Sequence, residues 1–577
     1  MTVSETVENV ALGSYLFSRL QQVNSLKSIF GVPGDFNLSL LEHLYNFPDL
    51  NWIGNCNELN AGYAADGYAR VNKFGVLVTT FGVGELSALN AISGSFTENV
   101  PVLHIVGTSS TMAKKLNNKT LHHLIPSKNT WEVAQDHYVY EKIVEPFSCI
   151  VESLNDDDLT VLQSKIDNVI ETIYKSKKPG YLFIPSNLAD IQIPVDTTKK
   201  LEFNSIDKHP ELTNQIVSKI IDKLYKKKFA ILADNLIENR KDVLNNFIQS
   251  NNIDCFSTVL GKSIIDETFE KFHGVFNGKI SSEGAADTFS KFELILHLGV
   301  VTNEINNFNN LKAKDFVGDV VELGKDYVLI DDELITSVDG EIIFDSLLAQ
   351  IEPMKLCTDQ SVESWGSKRS YPSSPTLLNA TKKLSQSSMA KILESKLREG
   401  DVIVCEMCSF LFAIPDIKFP KDSLFISQNF YGSIGYALPS TLGASLAIRD
   451  AGLESKRRVI LLQGDGSAQM TIQELSSYVR YGIKPTVLLL NNDGYSVERV
   501  CCGPTRSYND IQPNWNWLKL FNVFGDVENK SVNVRVETNH ELEMELNKDD
   551  GELKMIEVML DKMDVPWRFS YVAGKAK

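Results

Sequence analysis

No apolar run in this 577-residue chain approaches the ~18 residues that a membrane-spanning helix needs, so no membrane partner is expected. The opening segment, Met1-Thr-Val-Ser-Glu-Thr-Val-Glu8, is acidic and lacks a basic stretch followed by an apolar one, so no secretory leader is expected. Positive charge is in short supply: 57 Lys and Arg stand against 74 Asp and Glu, a formal net charge of −17. That balance argues against a nucleic-acid partner, although a local pocket can still hold a small anion. Cysteine is sparse and unpatterned, with one CxxC at Cys405–Cys408 and adjacent residues at Cys501 and Cys502 among eight in all. A structural zinc site wants two such pairs, so buried reduced thiols are the plainer reading, and they suit a cytoplasmic protein. Two phosphate-binding signatures are missing as well. The turn Gly464-Asp465-Gly466-Ser467 has Gln469 where a dinucleotide fingerprint needs its third glycine, and no Gly-Lys-Ser/Thr follows as in a P-loop.

What the chain does contain is a recurring alternation of short apolar runs with helical patterns. The length suggests about three or four domains. Strands are expected at 28–33, 75–80, 100–107 and 180–185, then at 229–233, 255–260, 294–299 and 327–330, then at 402–405, 458–462, 486–490 and 554–559. Polar 195–212 and Ser/Pro-rich 358–376 read as linkers between the three blocks. The fold class is therefore α/β, with three doubly wound parallel-sheet domains at 1–194, 195–357 and 358–577.

One pairing carries most of the chemistry. An apolar strand runs into Gly464–Ser467, and a second apolar strand ends in Asn491-Asn492-Asp493-Gly494, with Asn492 27 positions after Asp465. Adjacent parallel strand ends there would offer Asp465, the Asn492 amide and the Gly494 carbonyl to a divalent cation such as Mg²⁺. The backbone N–H groups of the turn would face a phosphate. The plainer alternative is a tight β–α turn with no ligand, and the amides at the matching strand end argue against it.

This spacing resembles the thiamine-diphosphate motif, and the resemblance extends along the chain to 2-oxo acid decarboxylases of the fungal pyruvate and phenylpyruvate type. The residues that carry it are Gly31-Val-Pro-Gly34-Asp35-Phe-Asn-Leu, Cys56-Asn-Glu58 through Arg70, Leu121-His122-His123, Gly432-Ser433-Ile434-Gly435, Gly464–Ser467 and Asn491 through Glu498. It implies pyrimidine-binding, middle and diphosphate-binding domains, with thiamine diphosphate and Mg²⁺ as cofactors. It also implies a homodimer with active sites between subunits, often paired into a tetramer, and non-oxidative release of CO₂ and an aldehyde through a cofactor carbanion.

Residue by residue, the resemblance gives Glu58 the bond to the aminopyrimidine ring. Glu58 alone, at a helix start, would be read as favourable dipole charge. Ile434 would wedge the cofactor into its bent shape. Asp35, His122, His123 and Glu498 would form the polar reaction cluster, where histidines supply proton donors and acceptors near neutrality. Further cofactor contacts would come from Cys408, Ser409, Gly432, Ser433, Asp465, Gly466, Ser467, Asn492, Gly494, Tyr495, Ser496 and Val497.

The chain also departs from the pyruvate pattern. Glu406-Met407-Cys408-Ser409-Phe410 replaces Glu-Thr-Gly-Thr-Ser, and Cys408 can supply the carbonyl of the family's glycine only if its backbone needs no positive φ. Asp234–Arg240 lacks the activating cysteine of yeast-type relatives. Leu124–Lys128 differs from the usual segment after the histidine pair. Ile305 stands where pyruvate enzymes have Phe, and Val497 replaces a common Ile. Smaller side chains make room for larger substrates, so aromatic or branched 2-oxo acids are expected, with pyruvate the alternative. A carboligating synthase and a non-enzymatic cofactor sensor are the readings from other classes. The His122-His123 pair opposes the first, and the complete set of polar residues opposes the second.

Overall fold

The computed structural model describes residues 7–24, 26–306, 318–358, 382–548 and 551–575. Three sheets organise them. The first runs, in spatial order, Asn51–Gly54, Ser28–Gly31, Gly75–Thr80, Val102–Thr108, Gly180–Pro185 and Val151–Ser153, every pair parallel. Its central strands are buried at every position, as expected of a sheet covered by helices on both faces. The third sheet is also fully parallel: Leu424–Ile426, Val402–Cys405, Val459–Gly464, Thr486–Asn491, Lys554–Met559 and Val532–Val536.

The middle sheet corrects one expectation. Phe272–Val275, Cys255–Ser257, Phe229–Ala233, Leu294–Leu298 and Asp319–Leu323 are parallel, but Tyr327–Ile330 and Glu333–Thr336 add antiparallel edge strands. Only Gly324, Lys325 and Asp326 separate Tyr327–Ile330 from the strand before it. A parallel return needs a crossover of a dozen or more residues, so this connection can only make a hairpin. A two-stranded ribbon, Val7–Ala11 with Gln192–Asp196, takes up Val195 and Asp196 at the start of the expected first linker. Pro210 then opens the helix Pro210–Lys226. All but the first residue of the expected 358–376 linker lies outside the described residues.

The first and third domains share one apolar core, which includes Ile105 and Leu182 on one side and Val404, Leu461 and Leu489 on the other. The middle domain has its own, built on Ile231, Leu296 and Phe344. The shared core is sealed by two helices, Glu58–Asn72 and Ala437–Asp450, that cross almost in backbone contact. A Cβ placed on Gly443 would lie 1.8 Å from the Ala64 carbonyl oxygen. Only glycine lets the backbones approach so closely. Asp66 bridges the contact by accepting from Tyr436 Oη at 2.6 Å and Arg70 Nε at 2.7 Å.

Candidate active site

The expected site residues gather in two groups, each at the carboxyl ends of parallel strands, where doubly wound sheets place their ligands. In the first domain, Asp35 follows Ser28–Gly31 and Glu58 follows Asn51–Gly54. Glu58 is the first residue of its helix, and Asn57 caps it by accepting from Asn60 N at 2.8 Å. The half-buried Glu58 carboxylate faces Gly84, where an added Cβ would lie 3.1 Å from Oε1. His122 and His123 lie beyond Val102–Thr108 and come back to Asp35. His122 Nε2 is 2.8 Å from Asp35 Oδ2, His123 Nε2 is 3.8 Å from Oδ1, and the two rings are 4.5 Å apart. Phe36 and Phe81 form the apolar wall beside the histidine rings.

In the third domain the two expected strand ends do lie side by side, with Gly464 paired to Leu490 in parallel register. Asp465 is buried and accepts from Gly466 N at 2.8 Å and Gly494 N at 3.0 Å. The Asn492 carboxamide donates its Nδ2 to the Gly494 carbonyl oxygen at 2.7 Å and to Asp465 Oδ1 at 3.2 Å. Its oxygen accepts from Ser496 Oγ at 3.1 Å. Turned over, the amide would present its oxygen to a cation together with the Asp465 carboxylate and the Gly494 carbonyl. This donor set, one carboxylate and two neutral oxygens, fits a hard divalent ion. Burial pushes the Asp465 carboxyl up to about 7 against the lowering pull of its N–H donors, and a bound cation would restore its charge. Gly494 has φ +133°, a conformation closed to other residues.

Cys408 has φ −142°, so its carbonyl is available without a glycine. Ser409 Oγ lies 3.2 Å from Ser496 Oγ and 2.9 Å from Gln386 Nε2. Gly466 lies against the Tyr495 ring. Ser467 Oγ donates to the Gly464 carbonyl at 3.1 Å. Ser433 Oγ meets Tyr63 Oη at 2.6 Å and Asn90 Nδ2 at 2.9 Å, and Gly432 turns with φ +69°. Ile434 projects from this turn and is 36 % exposed. Val497 is half-buried and Glu498 exposed on the short helix Ser496–Cys501. Among the described residues, no hydrogen bond or ion pair joins the group of Glu58, Asp35, His122 and His123 to Asp465 or Glu498.

Several supporting residues carried no signal in the sequence. Glu474 accepts from Asn55 Nδ2 at 2.9 Å and Asn60 Nδ2 at 2.8 Å, fastening the turn that bears Glu58 to the third domain of the same chain. Glu98 accepts from Phe430 N at 2.7 Å and Tyr431 N at 3.0 Å, fastening the Gly432–Ile434 turn to the first domain. Met407 and Ile305, by contrast, were already set apart in the sequence as departures from the pyruvate pattern, and they line a mainly apolar cavity of about 90 Å³ between the middle and third domains, together with Leu411, Phe412, Pro415 and Val572.

Family models agree with this arrangement. The N-terminal TPP binding domain of thiamine pyrophosphate enzymes matches residues 10–129, their central domain 217–338, and their C-terminal TPP binding domain 408–552. The fold and its site thus define a thiamine pyrophosphate enzyme. A transaminated amino acid decarboxylase of Saccharomyces cerevisiae is 38% identical over 98% of this chain and 95% of its own length. A pyruvate decarboxylase of Kluyveromyces lactis is 36% identical, and pyruvate decarboxylase isozyme 1 of Saccharomyces cerevisiae 35%, each over 97% of both chains. The chain belongs to the thiamine-diphosphate-dependent 2-oxo acid decarboxylases and is a carboxy-lyase. Among the described residues, no helix is long and apolar enough to cross a membrane.

Proposed function

We propose that this decarboxylase prefers 2-oxo acids with a large apolar side chain, aromatic or branched, and releases the corresponding aldehyde and CO₂. The observation that carries this is the apolar cavity beside Met407 and Ile305. It adjoins the Cys408 and Gly432–Ile434 segments proposed to hold the cofactor, and it would receive a side chain much larger than a methyl group. One similar protein acts, by its name, on transaminated amino acids, which supports the same reading. Pyruvate is the second reading, favoured by the pyruvate decarboxylases among the relatives.

When bound, thiamine diphosphate supplies the nucleophilic carbon and the electron sink for breaking the carboxylate bond. Asp465, Asn492 and Gly494 would hold Mg²⁺ against the diphosphate, and Gly466, Ser467 and Ser409 would donate to its oxygens. Glu58 would share a proton with the pyrimidine ring nitrogen. The Asp35–His122 pair and His123 would hold the proton delivered to the product carbon, with Glu498 on the opposite side.

The separation of the two groups within one chain supports a homodimer in which each site takes Glu58 and the histidines from one subunit and Asp465 and Glu498 from the other. A dimer of such dimers is proposed with it. Val83, Leu86 and Asn90 share one helix face, Asn90 contacts Tyr431 and Ser433, and Val83, Leu86, Tyr431 and Ile434 form an exposed apolar surface there. Such a surface suits an interface between subunits. All eight cysteines are free, in keeping with a cytoplasmic setting.

The test is turnover of phenylpyruvate, indolepyruvate, a branched 2-oxo acid and pyruvate by the protein with thiamine diphosphate and Mg²⁺, with aldehyde followed through alcohol dehydrogenase. Preference for pyruvate would overturn the substrate reading. Full activity in a Glu58→Gln variant would overturn the assignment of Glu58.

A further inference from the structure

Two neighbouring imidazoles and one carboxylate converge in the first-domain group. Nε2 of His122 lies 2.8 Å from Asp35 Oδ2, and Nε2 of His123 lies 3.8 Å from Oδ1. One ligand atom from each residue lies within 4.8 Å of the other two. Consecutive side chains of an extended chain point to opposite sides. Here the left-handed backbone of His123, φ +69°, brings both rings to the same carboxylate. That conformation is uncommon away from glycine and must be held by its surroundings. Tyr140 Oη donates to the His123 carbonyl at 2.5 Å, and Gly82 leaves that carbonyl its room, since a Cβ there would lie 2.3 Å from the oxygen. Phe36 and Phe81 pack against the rings. The cluster is nonetheless open, with the His122 side chain 60 % and the Asp35 side chain 54 % exposed, so an ion can reach it.

Such a set chelates ions that the Asp465 cradle does not favour. Imidazole nitrogen suits Zn²⁺, Cu²⁺ and Ni²⁺, whereas Mg²⁺ keeps to oxygen. With bonds of about 2.0–2.1 Å, the ligand atoms of a tetrahedral zinc site stand about 3.3 Å apart. The two Nε2–Oδ separations, 2.8 and 3.8 Å, fall on either side of that value, so shifts of about half an ångström would form the site. The ion would take the place of the proton that His122 and Asp35 share. Three protein ligands leave a further position open, as in catalytic zinc sites.

We propose that Asp35, His122 and His123 form a second metal site, selective for zinc and neighbouring transition ions over Mg²⁺, and that an ion held there stops turnover. The chain thus sorts divalent ions by ligand type, oxygen for the cradle and nitrogen for this cluster. Binding rests on the geometry alone. The block on turnover rests on the proposed function, because the ion ties up the groups given to proton delivery.

The experiment titrates Co²⁺, a spectroscopic substitute for Zn²⁺, into cofactor-free protein in a large excess of Mg²⁺. A visible band of low-coordinate Co²⁺ should saturate at one equivalent and be displaced by Zn²⁺. His122→Ala and His123→Ala should each weaken Co²⁺ binding by about ten-fold or more, and Asp465→Asn should leave it unchanged. No band, a band that survives both histidine variants, or one lost in Asp465→Asn overturns the site. His122 is exposed, so its replacement leaves the core intact and the test does not depend on a buried change. In the enzyme loaded with thiamine diphosphate and Mg²⁺, Zn²⁺ should inhibit aldehyde formation, and a zinc-selective chelator should restore it. Zn²⁺ bound without inhibition upholds the metal site and overturns the placing of this cluster at the reaction.

Discussion

Replacing Ile305 by phenylalanine should convert the proposed preference for large 2-oxo acids into near-indifference. The backbone at this position is held on both sides: Ile305 N donates to Asn303 Oδ1 at 3.1 Å, and the Ile305 carbonyl accepts from Asn277 Nδ2 at 2.8 Å. The substitution therefore changes what fills the cavity rather than where the chain runs. The cavity of about 90 Å³ is lined mainly by apolar side chains, among them Met407, Leu411, Phe412, Pro415 and Val572, and also by Glu304 and Arg568. Burying an aromatic ring there is worth roughly 1.5–3 kcal/mol. At about 1.4 kcal/mol per factor of ten, that is roughly 10- to 150-fold in kcat/KM over a substrate with only a methyl group. A phenylalanine at 305 places a ring of the protein's own in that space. The ratio of kcat/KM for phenylpyruvate to that for pyruvate should fall by about ten-fold or more, with pyruvate turnover within about three-fold of wild type. Initial rates of aldehyde formation, coupled to alcohol dehydrogenase, give both constants. A well-folded Ile305→Phe enzyme with an unchanged ratio would refute the assignment of this cavity to the substrate side chain.

Three further outcomes follow from the geometry. Asp465→Asn leaves one oxygen for two N–H donors and removes the charge from the oxygen cradle, so Mg²⁺ affinity in the presence of thiamine diphosphate should drop by at least about 100-fold, read by metal titration; wild-type affinity would remove Asp465 from the metal site. Glu85 is fully buried with its acid raised from 4.5 to about 8, chiefly by desolvation, so the folded state holds a proton that the unfolded chain releases. Its contribution to stability is present below about pH 4.5 and is lost as pH rises to about 8, a difference of roughly 4 kcal/mol. Glu85→Gln should therefore flatten the decline of the thermal midpoint across that window, and an unchanged decline would contradict the assignment. Gly443→Ala must force apart two helices whose backbones leave 1.8 Å for the new carbon, at a cost of about 3 kcal/mol, measurable as a lower thermal midpoint; an unchanged midpoint would show the crossing to be looser than described.

Much of the site was legible in the sequence because its signals are local. A cation and diphosphate cradle needs a carboxylate in a glycine turn at one strand end and amides at the next, and the chain writes both within thirty residues. Continuous apolar runs located the buried parallel strands for a similar reason, since strands covered on both faces lose their alternation. The strand at Tyr327–Ile330 was misjudged in direction because apolarity says nothing of orientation; the three-residue connection decides it. Asp35 and His122 are 87 positions apart, and no spacing rule joins them; only the family resemblance did, and the fold brings them to 2.8 Å. Glu474 is more than four hundred positions from the turn it fastens, and Glu406 meets Gln463 across 57. The sequence by itself determined the three α/β blocks and the spacing of the carboxylate turn and the amides, because those depend on residue type and short spacing, while the cofactor class and the expected site residues came from the family resemblance. The tertiary structure alone decided which oxygens converge, which buried carboxylates lack a cation and how two domains share one core, because burial and charge compensation exist only once distant segments have met.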